Sequence, residues 1–316
     1  MRSPERTTRP KTSSMTSSKP EPTSGPPSSN QDARSRWSWK VTDRAANREL
    51  GLLYEPGNWG DVIKGMWAAH ITRQLVASVA RSGRPEVRYL DPFAGAPTYP
   101  LLQSTVTRLE WLGSGSFLDA QDPWLRQGRL ASTGLLVRQI LLTTRATPNV
   151  VVFDIDAARR DEWRKIDGVE IAEATSGAVV IPGARADLIL VDPYDFFETW
   201  CTHLSSVVDA ARRTLVLVYL HNKSPRGSGH HRNYLRLRDK IDSTKNLSVL
   251  VGRIPSDIVL PRAFHEVILL GPADLVQPLR TELSRMTRRL ACKMGTTGAF
   301  ESCGAGPALS SGGSCA

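Results

Sequence analysis

The stretch Val87-Arg88-Tyr89-Leu90-Asp91-Pro92-Phe93-Ala94-Gly95-Ala96 decides the fold. Its first four residues predict a buried β-strand, because apolar side chains fall on both faces. The acid, the proline and the small residues that follow predict a turn leading away from the strand. Similar short apolar runs recur along the chain, and longer stretches with helical spacing separate them. This alternation predicts an α/β fold: an open, mostly parallel sheet with helices on both faces.

The predicted elements share one pattern, in which a β-rich run is followed by a helical stretch. The further strands are Val150–Phe153, Leu188–Val191, Leu215–Val218, Leu247–Val251 and Val267–Leu270. The helices are Asp61–Ala80, Thr133–Leu142, Ala157–Ile166, Phe197–Arg212, Arg232–Asp242 and Leu275–Leu290.

Composition divides the chain into three parts. The 316 residues are 40% hydrophobic and 23% charged, as in globular proteins. Residues 1–36 contain no aromatic side chain and are rich in Ser, Thr and Pro, which leaves too little apolar surface to fold. We therefore predict a disordered basic arm over 1–36, a folded domain over 37–294, and a flexible Gly/Ser/Ala tail over 295–316.

The charge balance points to a polyanionic partner. A formal net charge of +10 suits RNA or DNA, although part of this excess lies in the arm. The chain contains no apolar run of about 18 residues and no secretory signal. Its four cysteines show no spacing typical of a disulfide framework or a zinc site. These features predict a cytoplasmic protein without a membrane span or a bound metal.

Three of the predicted strands end in an acid. Asp91 follows the strand Val87–Leu90, Asp154 follows Val150–Phe153, and Asp192 follows Leu188–Val191. Open sheets bind ligands at the carboxyl ends of their strands, so we expect a site where these acids meet. Each acid taken singly also suits a helix cap or a surface turn. Their occurrence together, in order, favours a site.

The first two acids suit S-adenosylmethionine as cofactor. An acid at the tip of the second strand can accept hydrogen bonds from both ribose hydroxyls, and small residues after the first strand allow close approach of the backbone. The missing Gly-x-Gly-x-x-Gly disfavours a nicotinamide dehydrogenase, whereas a cationic ligand fits the acid-lined turn. The cofactor-binding residues predicted here are Asp91, Phe93, Ala94, Gly95, Asp154 and Ile155.

The segment Asp192-Pro193-Tyr194 is predicted to present the methyl acceptor. The carboxylate and the adjacent backbone carbonyl can accept hydrogen bonds from an exocyclic amine, which aligns the nitrogen lone pair with the methyl group. A neighbouring aromatic ring can stack on a base taken out of its stack. Catalysis would then consist mainly of positioning and would need no metal.

Two stretches resemble a known family. Gly57-Asn58-Trp59-Gly60-Asp61-Val62-Ile63-Lys64 looks like the Gly-Asn-x-x-Asp-x-x-Lys stretch of RlmJ-type methyltransferases, which modify adenine N6 in large-subunit ribosomal RNA. Leu90–Gly95 is similar to their first-strand motif and to that of three-Cys-motif partner proteins. The resemblance implies a Rossmann-like class I methyltransferase fold, an RNA substrate, and cofactor contacts for Asn58, Lys64 and Thr133.

The sequence departs from this family at the fourth strand. The family motif is Asp-Pro-Pro-Tyr, whereas Tyr194 replaces its second proline and Asp195 its aromatic residue. Three alternatives therefore stay open: a DNA amine, a small-molecule amine, or a cofactor-binding partner protein that has lost catalysis. The basic residues between His221 and Lys240 predict either a loop that tracks a phosphate backbone or a solvated surface.

Overall fold

The computed structural model describes residues 56–84, 86–113, 115–183, 185–193, 205–222, 229–244, 246–256, 263–294 and 299–303. All of them belong to one compact unit, Trp37–Ala316. The predicted arm over 1–36 lies outside the described residues.

The described elements alternate between strands and helices for most of the chain. In chain order they are α1 (Trp59–Arg81), β1 (Glu86–Asp91), β2 (Thr98–Pro100), α2 (Gln103–Leu112), α3 (Ser116–Leu125), β3 (Arg129–Ala131), α4 (Thr133–Thr143), β4 (Thr147–Val152), α5 (Ala157–Arg164), β5 (Val169–Ile171), α6 (Gly177–Gly183), β6 (Leu188–Val191), α7 (205–211), β7 (Leu215–Asn222), α8 (Gly229–Asp242), β8 (Ser248–Pro255), β9 (Phe264–Gly271), α9 (Ala273–Val276), a 3₁₀ turn (Gln277–Leu279), α10 (Arg280–Lys293) and β10 (Ala299–Cys303).

Within the described residues, the main sheet has eight strands in the order β10-β8-β9-β7-β6-β1-β4-β5. The half that runs from β5 to β7 is parallel, whereas β9 is antiparallel to β7 and β8, and β10 is antiparallel to β8. β1 pairs with β4 on one side and with β6 on the other. The strand order therefore reverses beside β1, which is where open α/β sheets bind ligands.

A helical layer covers each face of the sheet. α1, α4 and α10 pack over the face that buries Trp67, Leu136 and Leu269. The indole Nε1 of Trp67 donates a 3.1 Å hydrogen bond to Thr287 Oγ1, which ties α1 to α10. On the other face, α7 and α8 contribute Val207 and Ile241 to a second core. The sheet is therefore buried on both sides, as the unbroken apolar runs of its strands require.

The strands and helices predicted from hydrophobic patterning are confirmed with two exceptions. Residues 197–204 of the predicted helix Phe197–Arg212 lie outside the described residues, and the predicted helix Leu275–Leu290 is divided into α9, the 3₁₀ turn and α10, because Pro278 interrupts the helical hydrogen bonds. The predicted flexible tail needs a correction, because residues Ala299–Cys303 form β10 on the edge of the sheet. Glycine-rich flanks hid this short strand, whose pairing depends on β8 being available beside it. Cys292 is disulfide-bonded, which the cysteine spacing did not predict. Among the described helices, none is both long and apolar enough to cross a membrane.

Candidate active site

The site is built at the carboxyl ends of β1, β4 and β6. Backbone hydrogen bonds continue the β1–β4 pairing past the last strand residues: Phe153 N–H donates to the Asp91 carbonyl at 2.9 Å, and Ala94 N–H donates to the Phe153 carbonyl at 3.0 Å. The turn after β1 therefore folds over the end of β4. Phe93 packs against the second core, and Ala94 is buried.

Gly95 joins this turn to the acid that follows β4. Its N–H donates to Asp154 Oδ2 at 2.9 Å, and its carbonyl accepts a 2.8 Å hydrogen bond from Trp163 Nε1. Its φ is +63°, and a Cβ at this position would lie 2.4 Å from the Tyr99 hydroxyl. Glycine is therefore required on both conformational and steric grounds.

The Asp154 carboxylate is buried but still has acceptor capacity. Oδ1 accepts the Asp156 N–H at 2.8 Å, and Oδ2 lies 3.5 Å from the Arg159 guanidinium as well as accepting from Gly95. Because a carboxylate offers about four lone-pair sites, one hydroxyl donor can be added, and a second can take the place of the long contact to Arg159. The next side chain, Ile155, is 79% exposed and presents an apolar surface beside the acid.

The Asp91 carboxylate lies deeper, only 2% exposed. Oδ1 accepts the Phe93 N–H at 3.1 Å, which is the turn-capping geometry, and Oδ2 accepts from the Tyr89 hydroxyl at 3.1 Å. Burial is the main cause that raises the pKa of Asp91 to about 7, and the negative charge of Asp192 raises this pKa further. The hydrogen bond from the Phe93 N–H and the positive charge of Lys64 both lower it. Asp91 therefore titrates near neutrality, where a nearby cation would favour its charged form.

Lys64 holds the acid at the end of β6. Its ammonium forms a hydrogen-bonded ion pair with Asp192 Oδ2 and lies 3.0 Å from Asp61 Oδ1. Burial lowers the pKa of Lys64, but the two carboxylates outweigh it, and the pKa lies well above its ordinary value. The pKa of Asp192 is raised by burial, against the opposing effect of Lys64. The result is a mostly buried cluster of one cation and two anions, in which Lys64 links α1 to β6.

Sequence reasoning missed the polar side chains behind Lys64. The ammonium lies 5.0 Å from the centroid of the Tyr219 ring, and the Tyr219 hydroxyl is 2.8 Å from His265 Nδ1. His221 stacks on His265 with 4.3 Å between ring centroids. A Cβ on Gly60 would lie 1.9 Å from the Tyr219 hydroxyl, so this glycine lets α1 approach the strands. The signal in the sequence was the i, i+2 spacing of Tyr219 and His221 near a strand end, which places both on one face.

Asn58 and Thr133 both lie at the start of a helix. Asn58 is the N-cap of α1, where its Oδ1 accepts the Asp61 N–H at 3.1 Å. Thr133 is the first residue of α4, and the N-cap is Ser132, whose hydroxyl accepts from Leu135 N–H. Ser132 N–H also donates to the Pro97 carbonyl, so the start of α4 lies against the turn after β1. The predicted cofactor contacts of Asn58 and Thr133 remain predictions.

Two further predictions concern the acceptor side. Pro193 is partly buried beside Asp192, whereas Tyr194 lies outside the described residues. In the basic stretch after β7, Arg238 is buried and lies within 3.8 Å of Glu266 and 3.6 Å of Asp242. This guanidinium is therefore part of an internal ion-pair network and is not available for a phosphate backbone. Within the described ranges, no group of His, Cys, Asp or Glu side chains is arranged to hold a metal ion.

Comparisons with known proteins bear on the fold. No protein-family model matches the chain, and no curated protein matches it. Among solved structures, protein LPL1258 from Legionella pneumophila, of family model DUF519, superposes with a TM-score of 0.57 at 13% identity, covering 78% of this chain and 97% of its own. At this identity the likeness bears on the fold alone.

Two further structures are more distant. A probable spermidine synthase from Corynebacterium glutamicum has a TM-score of 0.41 at 11% identity, with 77% of this chain and 75% of that chain covered. Cofactor-bound Rv0187 from MTB has a TM-score of 0.38 at 11% identity, with 72% and 86% covered. The observed strand order confirms the predicted Rossmann-like α/β fold, a mostly parallel sheet with helices on both faces, and the likeness to LPL1258 agrees with it.

Proposed function

We propose that this protein is an S-adenosylmethionine-dependent methyltransferase that modifies an exocyclic amine, with adenine N6 in RNA as the leading acceptor. The observation that carries the proposal is the meeting of Asp154, Asp91 and Asp192 at the ends of adjacent strands β4, β1 and β6. Neighbouring strand ends bring the ribose, ammonium and acceptor positions into one row.

The residues beside β1 and β4 fit the cofactor. Asp154 has acceptor capacity for the ribose hydroxyls, and exposed Ile155 offers an apolar contact for the adenine ring. Gly95, with no side chain, lets the turn after β1 lie close to the ligand. The buried Asp91 carboxyl, whose pKa burial raises to about 7, suits the ammonium of the methionine moiety, because a nearby cation favours its charged form. When bound, S-adenosylmethionine supplies a methyl group on an electrophilic sulfonium.

Asp192 and Pro193 act on the acceptor by positioning. Lys64 contacts Asp192 Oδ2, which orients the carboxylate and favours its charged form, so that its remaining lone pairs can accept hydrogen bonds from an amine. Pro193 donates no competing N–H. Fixing the amine in this way directs its lone pair toward the methyl group, and orientation alone lowers the barrier by several kcal/mol, roughly 7 or more in favourable cases.

RNA is favoured over other acceptors because the motifs around Asn58 and Asp91 resemble those of RlmJ-type enzymes, and because the chain is strongly basic. Asp195 in place of the family's stacking aromatic residue favours a second candidate, an amine in DNA or in a small molecule. Methyl transfer to an adenine-containing RNA, without transfer to the same RNA carrying N6-methyladenine, would support adenine N6 in RNA over the second candidate.

The test of the cofactor assignment is calorimetric titration with S-adenosylmethionine and, separately, with NAD. We expect binding of S-adenosylmethionine alone, and about a tenfold or greater loss in Asp154→Ala, since hydrogen bonds to a charged group contribute about 1.5–3 kcal/mol. The matched control is Asp187→Asn, because Asp187 lies at the amino end of β6 and bonds the Arg88 N–H at 2.8 Å. If neither ligand binds the intact protein, or if the control weakens binding as much as Asp154→Ala, the cofactor assignment is wrong.

The test of the acceptor role is Asp192→Asn. This variant is expected to retain cofactor binding and to lose methyl transfer by about two orders of magnitude, since positioning contributes mainly to the chemical step. Transfer at the wild-type rate in a folded Asp192→Asn protein would contradict the role given to this acid.

A further inference from the structure

An exposed tryptophan lies at the junction of α2 and α10, next to the start of α1. Trp111 is 50% exposed, and its ring centroid lies 6.1 Å from that of Trp59, the first residue of α1. Few large apolar side chains in the described part of the chain are this exposed. Trp111 is therefore accessible enough to contact a planar ligand.

Basic residues lie on the two helices that meet at Trp111. The Lys293 ammonium donates a hydrogen bond to the Trp111 carbonyl at the end of α2, which brings the end of α10 to the tryptophan. Arg289 lies one turn earlier in α10 and is close enough to lower the pKa of Lys293, after the effect of burial. Arg108 precedes Trp111 by one turn of α2 and donates to the Gly57 carbonyl at 3.2 Å. Together, Trp111, Arg108, Arg289 and Lys293 are called the Trp111 patch.

The α10 side of the patch carries more positive than negative charge. α10 contains five basic residues and a single acid, Glu282, which pairs with Arg285 at 2.5 Å. Among the residues that the structure describes, no carboxylate forms an ion pair with Arg289, which is exposed. Glu110 is the one acid beside the tryptophan in α2, and it is also exposed. The patch thus keeps a positive excess next to an accessible indole.

The patch also lies close to the candidate active site. Lys64, which holds Asp192, is five residues along α1 from Trp59, or about 7.5 Å along the helix axis. A strand lying on Trp111 would reach the end of β6 within a few nucleotides. The electropositive, aromatic character of the patch and its position beside α1, which carries Lys64, both suit a nucleic-acid substrate.

From these contacts we infer that the Trp111 patch binds single-stranded nucleic acid, with a base stacked on the indole and phosphates next to Arg289 and Lys293. The inference rests on the proposed function, since it assigns the surface that delivers the substrate to that site. Base stacking on an aromatic side chain tolerates any base, while arginine and lysine neutralise the backbone. An acidic protein would use the charges but would gain nothing specific from the ring plane.

The experiment is fluorescence anisotropy of a labelled 12-nucleotide single-stranded RNA, and of DNA of the same sequence, with the full chain. Trp111→Ala is expected to weaken binding about tenfold, and Trp111→Phe to retain most of it. Arg289→Gln should lower the slope of log K against log salt by about one. The matched control for charge is Arg212→Gln, an exposed arginine that follows α7 on the opposite face of the sheet and is expected to bind like wild type. Thermal melts check that each variant is folded.

The outcomes separate this inference from the proposed function. Binding of S-adenosylmethionine together with RNA binding that is unaffected by Trp111→Ala would overturn the patch and leave the enzyme assignment in place. RNA binding that depends on Trp111 and Arg289, without cofactor binding, would support the patch and contradict the enzyme assignment. The patch would also be overturned if Arg212→Gln and Arg289→Gln lost equal RNA affinity. It would be overturned as well if polyglutamate competed with RNA equally in the wild type and in Trp111→Ala. The RNA and DNA arms show whether the 2′-hydroxyl contributes.

Discussion

Replacing Lys64 with methionine removes the cation that links α1 to β6 while nearly preserving side-chain volume. Asp61 keeps a partner, because its Oδ2 also accepts the Gly57 N–H at 2.8 Å. Asp192 loses its ion pair in a position where burial already raises its pKa. The main consequence is an unpaired carboxylate in a low-dielectric environment, which the folded protein can tolerate only by protonating it.

The magnitude follows from that protonation. Neutralising a carboxyl of ordinary pKa, near 3.9, costs about 4 kcal/mol at pH 7 and about 1.5 kcal/mol at pH 5. These values set the upper limit of the destabilisation, and they agree with the roughly 3–5 kcal/mol typical of breaking a buried ion pair on one side. In Lys64→Met the folded-state pKa of Asp192 lies above its unfolded value. The variant therefore shows its full loss of stability at pH values above the folded-state pKa of Asp192. The loss disappears as the pH falls toward the pKa that Asp192 has in the unfolded chain.

The assay is urea unfolding monitored by far-ultraviolet circular dichroism at pH 5 and pH 7. We expect Lys64→Met to lower the free energy of unfolding by about 3–4 kcal/mol at pH 7 and by less than half of that at pH 5. The double variant Lys64→Met with Asp192→Asn should recover most of the loss, because it buries no charge. A loss below about 1 kcal/mol at pH 7, or one that is equal at both pH values, would refute the reasoning.

Three further predictions concern other parts of the site. Gly95→Ala should destabilise the fold by about 1 kcal/mol more than Gly83→Ala in thermal or urea unfolding, because both glycines have positive φ but only the first would meet a tyrosine hydroxyl at 2.4 Å. Asp187→Asn should lower the free energy of unfolding by about 1 kcal/mol, because it removes the ion pair with Arg84. The same variant should leave the affinity for S-adenosylmethionine, measured by calorimetry, unchanged. That affinity should rise between pH 5.5 and 7.5 as Asp91, with a pKa of about 7, becomes charged, and Asp91→Asn should abolish this rise.

The fold and the location of the site followed from local features of the sequence. Short apolar runs such as Leu188–Val191 favour buried strands, and helical stretches between them favour a mostly parallel sheet. Since parallel strands end at the same edge, the acids Asp91, Asp154 and Asp192 had to lie near one another. The structure confirms that these acids lie at one edge of the sheet, and it places Lys64, which the resemblance singled out as a cofactor contact, against Asp192. The contact of Lys64 with the cofactor stays a prediction.

What the side chains do at that edge was decided by the tertiary structure. The pairing of Lys64 with Asp192 spans 128 residues of sequence, and nothing in the Asp61–Lys64 spacing distinguishes it from a solvated helix pair. In the same way, the sequence around Arg238 predicts a surface charge, whereas the structure buries this arginine against Glu266. The raised pKa of Asp91 depends on how completely water is excluded around it. Burial and ion pairing are properties of packed elements from distant parts of the chain, so a local pattern can show which groups are present but not which of them meet.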